Sequence, residues 1–420
     1  ILEECEEMFK VYLESPLGDG EKKTYIRELL DLGWKREAEI QLESGYQCCI
    51  NTELNSTNLL INGEGKSNYL IDWEKPLFGN PAQDLGHFLA PTTTFWKTDV
   101  ILTSEEIEKF IAATGVEERR FADPDVCASD LCYKAAYQIF DETDINREDV
   151  DALFFISQSP DYKIPGTSGI LQSKLGLSKE TIVYDVNMSC SGFIHGLLMA
   201  YNFLQQPGIN NVMIMVGETL TKMISMQDKG TGKLLGDAGT VAVLGKGEQY
   251  GESFFSMNTD GAHLNSVILP AGGARIPSSL ETMKLVEQED GSMRSQEQIN
   301  MVGDDVFSFA ISVLPKDIKK LLAFAGKEMD EIDVYAFHQA NNFMSNHIAK
   351  KVKANPEKIL HSIQKYGNTA GSSIPLCMVE NRDKISPNSS VLMNAIGAGF
   401  AYGTVLLNIA DCKILEKTEL

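Results

Sequence analysis

The sequence predicts an α/β protein made of two similar halves, preceded by a shorter segment of different character. Apolar, strand-like segments alternate with amphipathic helices after about residue 104, and the pattern of one half recurs in the other, whereas residues 1–100 lack it. With 420 residues, 43% of them hydrophobic and 23% charged, the chain can form a large core. Such alternation favours sheets that helices cover on both faces. The predicted domains cover residues 1–100, 101–270 and 271–420.

The segment before residue 100 is predicted to be mainly helical, with one β-hairpin. Residues 1 to about 45 are charge-rich and carry apolar side chains at helical spacing, which predicts two amphipathic helices. The apolar runs 59–61 and 69–71 flank the turn N-G-E-G at residues 62–65. Because Asn-Gly readily adopts the positive φ angles of tight turns, we expect these two runs to pair as a hairpin.

The sequence around this hairpin resembles the catalytic centre of aminoglycoside and choline phosphotransferases. The family's H-G-D-x-x-x-x-N loop compares with N-T-E-L-N-S-T-N at residues 51–58, and its metal aspartate with I-D-W-E at residues 71–74. The resemblance implies that Asn58 and Asp72 occupy magnesium-holding positions and that Glu53 occupies that of the catalytic aspartate. An asparagine replaces the family's histidine, and no glycine-rich loop precedes it. We therefore expect an inactive C-lobe-like fragment, with residual ATP-dependent phosphotransfer as a minor alternative.

The remainder of the chain contains an internal duplication. Residues 149–158 (D-V-D-A-L-F-F-I-S-Q) are echoed by residues 331–339 (E-I-D-V-Y-A-F-H-Q), and each segment follows an amphipathic helix and is typical of a buried strand. A further apolar strand recurs at residues 211–217 and 390–397. Two such halves can pack their central helices between two sheets, which brings their loops together at a pseudo-two-fold axis.

Three side chains that could form a nucleophilic site lie on loops that this duplication places opposite each other. Cys190 follows the apolar strand at residues 182–186 and precedes a helical segment, where the helix dipole lowers a thiol pKa. Free cysteine is commonly a buried, inert thiol. His338 and Asn368, however, supply partners from the second half, which predicts a nucleophilic site. His195 lies five residues after Cys190 and should point away, as a structural histidine.

Six ordered motifs resemble those of beta-ketoacyl-ACP synthase III, a thiolase-fold family. They are T-G-V-E-E-R at 114–119, N-M-S-C-S-G-F at 187–193, L-G-D-A-G at 235–239, H-Q-A-N at 338–341, Y-G-N-T-A-G-S-S-I-P at 366–375 and I-G-A-G-F-A-Y-G at 396–403. The match spans residues from about 104 to 410. It implies a thiolase-like five-layer αβαβα duplication, a homodimer, and Cys190, His338 and Asn368 as catalytic residues.

The resemblance also implies a decarboxylative Claisen condensation that initiates fatty acid synthesis. An acyl-CoA acylates Cys190, and the backbone N–H groups of Cys190 and Gly399 form the oxyanion hole. Malonyl-ACP then loses carbon dioxide, and the enolate, stabilised by His338 and Asn368, attacks the acyl-cysteine to give 3-oxoacyl-ACP. Acyl-CoA and malonyl-ACP are substrates, and no metal or other cofactor is implied.

Departures from the family pattern leave alternatives open. The family's CoA-contacting tryptophan and arginine correspond to Lys109 and Ala113, and an arginine that helps dock the carrier protein corresponds to Phe343. The family's first strand, of the I-x-G-x-G-x-Y-L-P kind, is expected inside the first sheet, where this chain has other sequence. A thiolase-fold acyltransferase with another acyl donor or acceptor, or an inactive fusion, are the alternatives.

Composition excludes several classes of partner. The eight cysteines lack metal-binding or disulfide-framework spacing, and the net charge of −22 argues against nucleic acid. No apolar run reaches the roughly 18 to 20 residues of a membrane span, and the first residues lack a signal-peptide pattern, so we expect a cytoplasmic protein without a membrane partner. Two lysine groups are candidates for contact with the acidic acyl carrier protein: Lys350, Lys351 and Lys353, and Lys316, Lys319 and Lys320.

Overall fold

The computed structural model describes residues 104–247 and 251–420, together with positions 10, 13, 20–39, 48–51, 59–60, 69–70 and 76–79. Contacts divide the chain into two compact units, Ile1–Lys109 and Phe110–Leu420. Apart from residues 101–109, both predicted halves of the duplication lie in the second unit.

The first unit contains one described helix and two short antiparallel strand pairs. The elements are α1 (Gly20–Glu39), β1 (Cys48–Asn51), β2 (Leu59–Leu60), β3 (Tyr69–Leu70) and β4 (Pro76–Gly79). β1 pairs with β4, and β2 pairs with β3 in the register that the predicted hairpin requires, so this pairing is confirmed. Ile26 and Leu30, one turn apart on α1, are buried. Glu53, Asn58 and Asp72 lie outside the described residues.

The first half of the duplication forms a four-stranded sheet. Its elements are α2 (Ser104–Thr114), α3 (Ala128–Glu142), β5 (Ala152–Ile156), α4 (Thr167–Leu175), β6 (Ile182–Val186), α5 (Gly192–Leu204), β7 (Asn211–Glu218) and β8 (Ala238–Gly245). The strand order is β6-β5-β7-β8. β5 runs parallel to β6 and β7, and β8 pairs antiparallel with β7.

The second half repeats this plan. Its elements are β9 (Phe254–Thr259), β10 (Val267–Ile268), β11 (Val286–Glu287), β12 (Met293–Arg294), β13 (Asn300–Met301), α6 (Gly303–Ala325), β14 (Val334–Phe337), α7 (Asn342–Val352), α8 (Ile363–Tyr366), α9 (Ser373–Glu380), β15 (Ser390–Gly397) and β16 (Ala401–Asn408). The sheet order is β14-β15-β16-β9. β14 is parallel to β15, which is antiparallel to β16, so β14, β15 and β16 match β5, β7 and β8 and the duplication is confirmed.

The second sheet corrects one expectation about the first. β9 pairs with β16 at the edge of its sheet, so the equivalent position in the first sheet lies beside β8, at an edge rather than in the interior. Within the described residues, β8 is paired along one edge only. Residue 270 was the predicted boundary between the two halves. The second sheet contains β9, which precedes this residue, as well as strands that follow it. A sheet loses less by lacking an edge strand than an interior one, because no other strand depends on it for pairing.

Burial of alternate faces produces the layered architecture. On β5, Phe154 and Ile156 face a central core that includes residues of α5, α9 and both sheets, whereas Leu153 and Phe155 face an outer core formed with α3 and α4. A second outer core joins α6 and α7 to the other sheet. The layers are therefore helix, sheet, helix, sheet, helix, which confirms the predicted five-layer thiolase-like fold. At Gly196 an added Cβ would lie 2.5 Å from Ile156 Cδ1, so α5 packs directly on the first sheet.

Candidate active site

Cys190 lies at the start of central helix α5. It precedes Ser191, the N-cap, and Gly192, the first helical residue, as predicted. Its side chain packs against an apolar cluster that contains Leu235, from a loop of the first half, and Ala370, from a loop of the second half. The residue keeps partial exposure, so a substrate can approach it.

Two glycine-containing loops of the second half press against the Cys190 loop. A Cβ added at Gly371 would lie 2.6 Å from the carbonyl oxygen of Ser189, and one at Gly397 would lie 3.4 Å from the amide nitrogen of Cys190. These positions have no room for a larger side chain. The two halves therefore meet at the Cys190 loop, as the duplication predicts.

Asn368 is held beside the same cluster by its backbone. Its N–H donates to Leu234 (2.9 Å), and its carbonyl accepts from Gly236 (3.0 Å), which joins the first and second halves. The side-chain Oδ1 accepts from the N–H of Ala370 at 2.9 Å. This bond fixes the carboxamide so that its oxygen faces the Ala370 N–H, and the Nδ2 group is the donor of the side chain.

His338 follows β14 and is 7% exposed. Its backbone N–H donates to Asn394 (2.9 Å), and its Nδ1 lies 2.6 Å from the hydroxyl of Ser373, five residues after Asn368. Ser373 also accepts from the Gln339 N–H, and donation of its own hydroxyl proton to Nδ1 would leave the imidazole proton on Nε2. Burial lowers the pKa of His338 to about 4, which keeps the ring neutral at ordinary pH.

The pKa of the Cys190 thiol differs from the sequence-based expectation. Burial, followed by the negative charge of Glu218, raises the pKa of Cys190 to about 12. The helix start was expected to lower it, but desolvation by the surrounding protein outweighs that effect.

Glu218 is a buried acid beside the site that the sequence-based reasoning missed. It is the last residue of β7, with 0% exposure. Burial raises the pKa of Glu218 to about 7, against the opposing effect of its hydrogen bonds. The available signal was an acidic residue at the carboxyl end of an apolar central strand, where catalytic groups of parallel sheets collect.

The remaining predicted residues have simpler surroundings. His195 Nδ1 lies 2.9 Å from the carbonyl oxygen of Ser191, which confirms a structural histidine. Gly399, with φ +133°, lies two residues after Gly397, the last residue of β15, whose added Cβ would lie 3.4 Å from the Cys190 amide nitrogen. Neither the Cys190 N–H nor the Gly399 N–H donates a backbone hydrogen bond within the described residues.

Two further classes of site are absent from the described part of the chain. None of its clusters of three or more His, Cys, Asp or Glu side chains has a geometry that could hold a metal ion. Its helices include none that is both long and apolar enough to cross a bilayer.

Two duplicated sheets enclose paired central helices. Cys190 lies at the start of one of these helices, and His338 and Asn368 lie on the facing loops. This arrangement defines an acyltransferase of the thiolase superfamily. Family models for 3-oxoacyl-[acyl-carrier-protein (ACP)] synthase III and for its C-terminal part match residues 184–261 and 322–409. Beta-ketoacyl-[acyl-carrier-protein] synthase III of Fusobacterium nucleatum is 32% identical over 332 residues, covering 78% of this chain and 97% of the relative.

Other relatives agree. The Caldanaerobacter subterraneus protein of the same name is 31% identical over 318 residues, covering 73% of this chain and 93% of the relative. The crystal structure of 3-oxoacyl-(acyl-carrier protein) synthase from Burkholderia xenovorans superposes with a TM-score of 0.70 at 32% identity, covering 75% of this chain and 89% of the other. This chain belongs to the beta-ketoacyl-[acyl-carrier-protein] synthase III family.

Proposed function

We propose that this chain condenses the acyl group of an acyl-CoA with malonyl-ACP, releasing carbon dioxide and forming 3-oxoacyl-ACP in the initiation of fatty acid synthesis. The observation that carries this proposal is the meeting of the Cys190 loop with the segments that hold Asn368 and His338, in a chain of this family. The relatives bear the name of that synthase.

In the first half-reaction, Cys190 attacks the thioester carbonyl and CoA leaves. The backbone N–H groups of Cys190 and Gly399 stabilise the oxyanion, because they do not donate to other backbone groups in the described residues. The approach of Gly397 to the Cys190 amide supports this assignment, since it brings the second-half turn to the nucleophile.

In the second half-reaction, His338 and Asn368 stabilise the enolate that forms as carbon dioxide leaves malonyl-ACP. A neutral imidazole with its proton on Nε2 and a carboxamide with its oxygen occupied both present N–H donors. Such donors stabilise a developing oxyanion without adding a fixed charge. The carbanion then attacks the acyl-cysteine. Nothing in this chemistry requires a metal or an organic cofactor.

The acidic acyl carrier protein is the proposed partner, with cytoplasmic location as in the initial expectation. Exposed lysines on α6 and α7 support a basic docking surface, which we call the lysine face and define as Lys316, Lys319, Lys320, Lys350 and Lys353. Lys351 is drawn across from α7 to α6, where its ammonium donates to the carbonyl of Ile311. Opposite charges across such a surface accelerate encounter and set orientation.

A homodimer is proposed from the exposed edge of the first sheet. β6 forms this edge, and its Ile182 and Tyr184 are 39% and 49% exposed. An edge strand with apolar side chains is a template for pairing with another chain. Pairing of two copies through β6 would cover both the unpaired strand edge and its exposed apolar side chains.

A related acyltransferase that uses a different acceptor is the second candidate. Phe343, at the position of the family's docking arginine, is 61% exposed and stacks on Phe307 with centroids 5.1 Å apart. An apolar pair at this position favours an acceptor other than an acidic carrier protein.

The experiment is a condensation assay with a series of acyl-CoA donors, in which malonyl-ACP and malonyl-CoA are compared as acceptors. We expect 3-oxoacyl-ACP and carbon dioxide in equal amounts from malonyl-ACP. An Asn368→Ala variant should still form the acyl-enzyme but should lose about 100-fold in condensation rate, since it lacks one enolate donor. Product from malonyl-CoA alone would favour the second candidate, and no product from either acceptor would overturn the proposal.

A further inference from the structure

The C-terminal segment, residues 412–420, follows β16 and contacts both halves of the duplication. On the first half, the side-chain amide of Gln138 on α3 donates to the backbone carbonyl of Glu416 at 3.1 Å. On the second half, the Lys417 ammonium lies 3.1 Å from the carboxylate of Glu380, the last residue of α9. The segment is therefore fixed to both halves by specific hydrogen bonds.

Glu380 accepts from three donors where the segment meets α9. One carboxylate oxygen accepts from the hydroxyl of Tyr366 at 2.8 Å and from Lys417, and the other accepts from Lys365. The side chain is 14% exposed. Burial alone would raise the pKa of Glu380, but these hydrogen bonds lower it to about 2, so the carboxylate is ionised at neutral pH. A charged acceptor of this kind fixes the positions of its donors.

The hydroxyl of Tyr366 has a partner for both its oxygen and its proton. The Lys417 ammonium donates to the oxygen at 2.5 Å, and the proton is donated to Glu380. Tyr366 is 5% exposed, and the Arg120 guanidinium lies over its ring at 5.4 Å from the centroid. Arg120 also donates to the carbonyl of Lys365 at 3.2 Å. The end of α8 is therefore held by the C-terminal segment and by the segment that precedes α3.

Tyr366 ends α8 only two positions before Asn368. A Cβ added at Gly367, the residue between them, would lie 2.7 Å from the carbonyl oxygen of Leu234. A Cβ added at Gly236 would lie 2.2 Å from the carbonyl oxygen of Tyr366. The same two residues, Leu234 and Gly236, bond to the backbone of Asn368. Because these segments are in such close contact, there is no free space to absorb a shift of Tyr366 before it reaches Asn368.

We propose that Lys417 is a positioning residue for the condensation half-reaction, in which it keeps the Asn368 side chain in place through Tyr366. This inference rests on the proposed function, because the enolate-stabilising role of Asn368 is assigned there. Cys190 lies at the start of α5, in the first half, and is positioned separately. The acylation half-reaction should therefore not depend on Lys417.

The test compares the two half-reactions of the full chain in the wild type and in Lys417→Met. Methionine keeps much of the side-chain length and removes the ammonium donor. We expect acylation by acetyl-CoA, followed by intact-protein mass, to keep the wild-type rate. The maximal rate of reaction between the acyl-enzyme and malonyl-ACP should fall about 10-fold, with an unchanged half-saturating concentration, because a displaced Asn368 stabilises the enolate less well.

Two further variants test whether the hydrogen bond between Lys417 and Tyr366 is the cause. Tyr366→Phe removes the hydroxyl and should give the same loss as Lys417→Met, and the double variant should lose no more than either single variant. Lys417→Arg supplies a donor again and should recover most of the condensation rate. Losses that add in the double variant would contradict this route.

Three other results would overturn the inference. One is unchanged condensation in both Lys417→Met and Tyr366→Phe. Another is an equal slowing of both half-reactions, which would indicate a general loosening of the fold. The third is a higher half-saturating concentration of malonyl-ACP at an unchanged maximal rate, which would assign Lys417 to carrier-protein docking. If Lys417→Met does not melt cooperatively, Tyr366→Phe decides by the same comparison.

The matched control is Lys413→Met, which removes the ammonium of another lysine in the same segment, one that donates to the carbonyl of Glu142 on α3. Both half-reactions should keep their wild-type rates, and an equal loss of condensation there would attribute the effect to docking of the whole segment and contradict the inference. The two proposals fail differently. A wild type that forms no 3-oxoacyl-ACP contradicts the proposed function, whereas a wild type and a Lys417→Met variant that condense alike contradict only the positioning role.

Discussion

Burial sets the protonation of the side chains around Cys190. It raises the pKa of the thiol and of Glu218, and it lowers the pKa of His338. A neutral thiol beside a buried acid and a neutral imidazole avoids placing an uncompensated charge in the core.

His338 should remain neutral through the pH range where an ordinary histidine titrates. In a Cys190→Ala background, which isolates the decarboxylation of malonyl-ACP, we expect a rate that is level around pH 6.5 and falls only towards pH 4. The depressed pKa means that the neutral form persists down to that lower value. A limb near pH 6.5 would contradict this protonation state, and His338→Ala should lower the level rate about 100-fold.

The sequence could identify some of these residues and not others. Cys190, His338 and Asn368 lie in short motifs, so their letters alone point to a site. Glu218 could not be identified as a buried acid, because its partners at Ser157 and Ser159 are some 60 positions away and become neighbours only in the sheet. The predicted direction of the Cys190 pKa shift was wrong for the same reason. A helix start can be recognised from the local sequence, whereas the burial of a side chain depends on the whole fold.

Among the secondary-structure elements, the loop before α9 determines how closely the halves meet. Gly371→Ala would place a methyl group 2.6 Å from the Ser189 carbonyl oxygen and 2.7 Å from Val216. We expect a loss of about 1–3 kcal/mol in the free energy of unfolding and slower acylation. Thermal melts and acylation rates check this. Gly169→Ala is the control, because no atom lies within 4 Å of its added Cβ, and an equal loss there would contradict the account.

The exposed lysines on α6 and α7 allow a test of carrier-protein docking. Reversing the charge of Lys350 and Lys353 together should raise the KM for malonyl-ACP several-fold and leave acylation by acyl-CoA unchanged, since we propose that the carrier protein docks on the lysine face. Steady-state kinetics at low and moderate salt separate the two effects. Lys179 and Lys246, exposed elsewhere, are the matched pair for reversal. An equal rise in KM from that pair would indicate only net charge.

Strand position was harder to predict than strand identity. The apolar runs that became β5, β7, β14 and β15 could be recognised from composition, because a strand buried on both faces is continuously apolar. Sheet order depends on long-range pairing that composition does not encode. The equivalence of β9 to an edge position therefore emerged only from the three-dimensional pairing with β16.

On the scale of the whole molecule, the duplication was predictable because both halves repeat the same strand and loop sequence patterns. The first unit was less predictable from the sequence. The positions predicted to bind magnesium and to be catalytic, Asn58, Asp72 and Glu53, lie outside the described residues, so the phosphotransferase-like fragment stays a prediction. Calorimetric titration with magnesium and ATP tests it, and we expect no heat of binding; a saturable heat would contradict an inactive fragment.

The proposed homodimer should depend on the β6 edge. Tyr184→Lys places a charge on a strand whose apolar face is exposed, and we expect a shift from two chains to one in light scattering. Phe324→Lys introduces the same charge at a side chain that is 79% exposed on α6, and it should remain dimeric. A Tyr184→Lys variant that stays dimeric would place the interface elsewhere.

The most direct test of the account is the intact-protein mass after incubation with acetyl-CoA and with a longer acyl-CoA, followed by peptide mapping. We predict one acyl adduct, located on Cys190, that is absent from the Cys190→Ala variant. No adduct from any donor in a protein that melts cooperatively, or an adduct that persists in Cys190→Ala, would contradict the assignment of Cys190 as the nucleophile.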